Sequence, residues 1–147
     1  PHQRLDRHRL AVGKLDLRRS GGEEIFGPCV LLQRTTAKEQ ARRLIAAEMP
    51  ASFIGEGGVT VENHLNMLLP VGDQPAITPA LLATFLNTVA VDRAFRCISG
   101  SVAVSAYELE NLPLPDPAWL KRLLGRRTDA ATVEQAAHAL YGEGDAA

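Results

Sequence analysis

The chain has 147 residues, 46% of them hydrophobic and 22% charged, with a formal net charge of −1. That length supports one domain with a real core, and the composition excludes wholesale disorder. Two cysteines, Cys29 and Cys97, are too few for a disulfide framework and fit a reduced, cytoplasmic chain.

Residues 1–13 are rich in arginine (Arg4, Arg7, Arg9) without a clear period, and read as a linker or arm. Leu15 and Leu17 alternate with polar neighbours as a short strand, and Ser20-Gly21-Gly22 marks a turn. The run Cys29-Val-Leu-Leu-Gln-Arg34, bounded by turn residues, predicts a buried strand. Residues 37–49 have helical propensity, but Leu44, Ala46 and Glu48 also alternate as a strand would. Gly55-Glu-Gly-Gly58 reads as a hairpin turn. In the strand predicted over 59–69, Val59, Val61, Asn63, Leu65, Met67 and Leu69 share one face.

The second half is helical. Thr78-Pro79 starts a helix with the apolar stripe Leu81, Leu82, Phe85, Leu86 and Val89. Asp92 is placed to cap a second helix running through Cys97. Ser105-Ala-Tyr-Glu108 is a capping box, opening a helix that stops before Pro113. Asp116-Pro117 caps a helix ending at Gly125, and an alanine-rich helix over about 129–141 leads into an acidic tail. The longest stretch without charge, Gln74–Val91, contains Pro75 and Pro79 and reads as a capped soluble helix, so no membrane partner is expected. The N-terminus has no apolar signal core, and a first residue other than Met suggests a piece of a longer protein.

Charge is zoned along the chain. Residues 1–43 carry +5, 44–92 carry −5, 93–127 carry +3 and 128–147 carry −4. Such zoning suits one basic face directed at phosphates. Catalytic signals are weak by contrast. The glycine loop at 55–58 precedes a strand pattern, whereas phosphate loops open a helix. Glu62 and His64 share a strand face, yet no neighbouring Cys or His completes a zinc set. Cys97 is expected on the apolar side of its helix and inert. A small hydrolase built on His64 lacks any nucleophile motif. The basic, amide and hydroxyl residues Gln33, Arg34, Thr35, Thr36, Lys38, Arg42 and Arg43 are the better candidates, because arginine and lysine anchor phosphate or guanine while amides read adenine. With Lys14, Arg18 and Arg19 they predict a basic face at the front of a sheet.

Read in order, Val30-Leu-Leu-Gln-Arg-Thr-Thr36, Lys38-Glu-Gln-Ala-Arg-Arg43, Val61-Glu-Asn-His-Leu-Asn-Met67, Leu86-Asn87, Phe95-Arg96 with Ser99-Gly-Ser101, and Glu108-Leu109 leading to Leu112-Pro-Leu-Pro115 resemble a known region. It is the C-terminal target-recognition region of adenine-specific DNA methyltransferases from bacterial restriction–modification systems, and the resemblance covers about residues 28–115. It implies an S-adenosylmethionine-dependent parent that flips and methylates an adenine. The family's catalytic Asn-Pro-Pro-Tyr/Phe and its cofactor glycine motif are absent; Asn111-Leu-Pro-Leu is the nearest echo. The resemblance therefore implies a double-stranded DNA partner and an upstream methyltransferase domain, with no catalytic residue, cofactor or metal site in this chain. A protein-interaction module docking on a methyltransferase or nuclease subunit is the alternative. The resemblance also makes residues 42–49 a strand, expected to pair with 59–69. The resulting expectation is an α+β chain with a mixed, mainly antiparallel sheet followed by a helical C-terminal half. Residues 14–125 form the recognition domain and 126–147 the C-terminal helix and acidic tail.

Overall fold

The computed structural model describes residues 16–19, 24–25, 27–62, 64–70 and 75–142, with the backbone alone for 16–19 and Glu24. The expected arm, the acidic tail, Lys14, Asn63 and the Gly21-Gly22 turn lie outside the described residues. Strands β1 (Asp16–Arg19), β3 (Cys29–Gln33), β4 (Ala46–Met49) and β6 (Leu65–Leu69) form one sheet in the order β1-β6-β3-β4. Every pairing in it is antiparallel. Two further short strands, β2 (Glu24–Ile25) and β5 (Val59–Thr60), form a separate antiparallel ribbon. The expected α+β class, sheet first and helices after, is the observed one.

Period-two alternation explains how the central strands are used. Val30 and Leu32 of β3 and Leu68 of β6 enter the main core, while Cys29 and Met67 enter a second cluster with Ile25, Ile54 and Val61. The central strands are thus covered on both faces. Burial among these side chains pushes the Cys29 thiol pKa up. The helices α2 (Pro79–Leu86), α3 (Val89–Ile98), α5 (Pro117–Leu124) and α6 (Ala130–Tyr141) supply the main core, and the short helix α4 (Ala106–Glu110) adds Leu109. Thr78, the Ser105/Glu108 box, Asp116 and Asp129 cap their helices through local hydrogen bonds, as three- and four-residue signals should.

Five expectations are corrected. Residues 46–49 are a strand, but their partner is β3, with β6 on the far side of β3. The run 59–69 is interrupted: β5 joins the ribbon, β6 joins the main sheet, and Leu65 N–H donates to the Glu62 carbonyl at the step between them. The glycine segment is consequently no hairpin between paired strands. It follows a single helical turn, α1 (Ala51–Ile54), and Gly55 and Gly58 take φ of 58° and 72°, a region that excludes most side chains. In α3 the cap is Thr88, whose hydroxyl accepts from Val91 N–H, and Asp92 is free for another task. Cys97 is exposed, because two positions beyond the core residue Phe95 lies about 200° around a helix.

Candidate nucleic-acid interface

Three segments far apart in sequence meet where β3 leaves the sheet. Arg34 N–H donates to the His64 carbonyl at 3.0 Å, and Val104 N–H donates to the Arg34 carbonyl at 2.7 Å. Thr35 bridges to Ala103, and Thr36 N–H donates to the Val102 carbonyl. The Asn66 side chain, 5% exposed, donates to the Val104 carbonyl at 2.7 Å. Segments 34–36, 64–66 and 102–104 are therefore laced into one rim by backbone groups, so the rim's shape does not depend on its outward side chains. On that rim Thr35, Lys38, His64, Gly100 and Ser101 are exposed and Arg34 is half-buried. Glu62 lies beside His64, 3.8 Å from Nδ1, and adds one negative charge.

The third segment is held from below. Ser99, 7% exposed, hydrogen-bonds Glu108, and this bond, with those from Ser105, keeps the Glu108 carboxyl below its usual pKa. The same carboxylate accepts from Ser105 N–H, closing the box that starts α4.

The sequence-predicted residues divide sharply in this setting. Gln33 turns back on its own strand end, Nε2 donating to the Thr35 carbonyl at 2.7 Å. Thr36 is 3% exposed, and its hydroxyl donates to Val102. The Arg42 guanidinium donates through both terminal nitrogens to the Asn87 carbonyl. Arg43 Nη1 donates to the Ala37 carbonyl at 3.2 Å. Lys38 and Thr35 project from the surface. The structure thus brings Arg34, Thr35 and Lys38 to the rim, and gives Thr36, Arg42 and Arg43 partners inside the protein.

Asn87, Asp92 and Arg96 escaped the candidate set. Asn87 ends α2, Asp92 sits in the first turn of α3, and Arg96 follows four positions later. Leu86-Asn87 and Phe95-Arg96 stand out in the resemblance, yet nothing local says that their side chains reach back to residues 41–46. His64 and Ser101 stand on the rim for a reason equally invisible in sequence, since each is carried there by backbone pairing with segment 34–36.

Among the described residues no group of His, Cys, Asp and Glu could hold a metal ion. A small cavity between α2 and α5 is lined by Ile77, Leu82, Phe85, Leu114, Pro115 and Leu120. Its lining offers no charged side chain.

The chain is 31% identical over 91 residues to the Type II methyltransferase M.BsuBI of Bacillus subtilis, covering 60% of this chain and 18% of that protein. It is 33% identical over 110 residues to the Type II methyltransferase M.PstI of Providencia stuartii, covering 74% of this chain and 22% of that protein. The chain is related in sequence to type II methyltransferases. It spans about a fifth of the length of these relatives. No family model matches the chain. No solved structure matches it either.

Proposed function

We propose that this chain is the sequence-specific DNA-recognition module of an S-adenosylmethionine-dependent, adenine-specific DNA methyltransferase whose catalytic domain lies elsewhere in a longer protein. One observation carries the reading: the separated motif segments around Arg34-Thr35, His64 and Ser99-Gly-Ser101 converge on a single exposed rim beside Lys38. A backbone-laced rim suits readout of base edges, which requires donors and acceptors held in fixed register while nearby cations anchor phosphate. Arg34, Thr35, Lys38 and His64 are the side chains best placed to reach a duplex, and Gln33 sets the backbone of Thr35. Thr36, Arg42 and Arg43 serve the same face from inside. The relationship to type II methyltransferases makes a DNA partner the natural one, and the missing catalytic and cofactor motifs assign methyl transfer to the rest of the parent.

The test is selection of bound duplexes from a randomised DNA pool by the purified chain, followed by titration of the winners at several salt concentrations. Enrichment of one short sequence, with affinity falling as salt rises, is the expected result. Binding without enrichment would remove the recognition role. No binding at any salt would favour the docking module, to be checked against a methyltransferase or nuclease subunit.

A further inference from the structure

Residues 36–45, which join β3 to β4, have almost no apolar means of holding a shape. Leu44 is fully buried, but Ala37, Lys38, Glu39, Ala41 and Ile45 are exposed. Their order comes from polar groups of α2 and α3. Asp92, only 5% exposed, accepts through Oδ1 from Arg43 N–H at 2.6 Å and Leu44 N–H at 2.8 Å. Its Oδ2 accepts from Arg96 Nε at 2.8 Å, and Arg96 Nη2 goes on to donate to the Ala41 carbonyl at 2.6 Å. Asn87 forms a reciprocal pair with β4: Ala46 N–H donates to Asn87 Oδ1 at 2.9 Å, and Asn87 Nδ2 donates to the Ala46 carbonyl at 2.7 Å. Since β4 is the edge of the sheet, that amide also closes main-chain groups on its open side. Arg42 ties the loop to the Asn87 carbonyl.

We infer that Asn87, Asp92 and Arg96 are positioning residues for DNA recognition: they lock the 36–45 loop, and with it Lys38 and the adjoining rim, in the arrangement that meets the duplex, without touching DNA themselves. The inference rests on the DNA-recognition reading. It makes Arg96, a basic residue in a basic zone, an internal tie between Asp92 and the Ala41 carbonyl and not a phosphate contact. It also explains why an acid is buried in a module for a polyanion. Asp92 is neutralised by Arg96 and by two backbone amides, so it adds little repulsion at the surface.

The experiment pairs amide hydrogen exchange on the free chain with titration of a mixed-sequence DNA duplex across salt, for the native protein, Arg96→Ala, Asn87→Ala and Lys38→Ala. Arg96→Ala and Asn87→Ala should lower protection of amides in 41–46 while α6 stays protected, which reports the clamp independently of DNA. Both should weaken duplex binding about tenfold, the scale of one mis-set contact, with an unchanged salt slope. Lys38→Ala should leave protection intact and reduce the slope by about 0.9. A slope reduced by about 0.9 in Arg96→Ala would make Arg96 a phosphate contact and overturn the inference. So would unaltered protection in 41–46, or loosened amides with unaltered affinity. A native chain that fails to bind the duplex would overturn the DNA reading itself, visible in that arm alone and whatever the exchange data show.

Discussion

The two connections that leave β4 are held by different forces. The one before it, residues 36–45, lies along α2 and α3 and is fixed by hydrogen bonds from Asn87, Asp92, Arg96 and its own arginines. The one after it, residues 50–62, is held by apolar insertion of Ile54 and Val61, by the glycine turn and, at its far end, by the short ribbon of β5 with β2, and it leaves Phe53 75% exposed. An apolar plug fixes where a segment sits but tolerates rotation and sliding, because dispersion and burial have no direction. A set of donors aimed at particular carbonyls fixes orientation as well, since hydrogen bonds weaken steeply off axis. The polar connection is the one beside the candidate DNA rim, where orientation matters most.

Substitutions can break that contrast from either side. The largest effect is expected from Leu44→Ala, which removes the one buried apolar anchor of the polar loop and should cost about 4 kcal/mol in urea denaturation. Ile54→Ala, in the smaller cluster beside the ribbon, should cost about 2 kcal/mol because that cluster can relax. Asp92→Ala strands the amides of Arg43 and Leu44 and should cost about 3 kcal/mol, less than a fully buried ion pair because Arg96 can turn to water. Should Asp92→Ala prove neutral in the same denaturation, water would be replacing the carboxylate and the loop would not depend on it.

A pH effect comes next in size. Glu108 has its pKa lowered in the fold, chiefly by Ser99, so its contribution is complete above the ordinary value of 4.5 and fades as pH falls through the depressed one. Glu108→Gln should therefore be less stable than the native protein near neutral pH, with the gap closing in acid. The gap should stay small, because the carboxylate remains largely in water. Urea midpoints of both proteins across that range measure it. The smallest effect belongs to Phe53→Ser, expected within about 0.5 kcal/mol of the native stability. A larger loss would mean that the apolar connection uses Phe53 in a way its exposure conceals.

The sequence by itself determined helices α2 to α6 and the two central strands. Thr78, Ser105 with Glu108, Asp116 and Asp129 act on groups two or three residues away, so their meaning does not wait for the fold. The bounded apolar run at 29–33 and the alternation in 65–69 likewise survive, because both faces of each strand find cover. Local signals failed wherever two residues could do the same task. Thr88 and Asp92 are both competent caps, and only the approach of the Arg43 and Leu44 amides diverts Asp92 to them. Residues 46–49 could pair with either central strand, and the sheet order gave them β3. Arginine is the extreme case. Arg34, Arg42, Arg43 and Arg96 look equivalent in the basic zones of the sequence, since a guanidinium serves phosphate, base or carbonyl with the same donors. Which partner each one has is decided by what the tertiary structure places within about 3 Å of it.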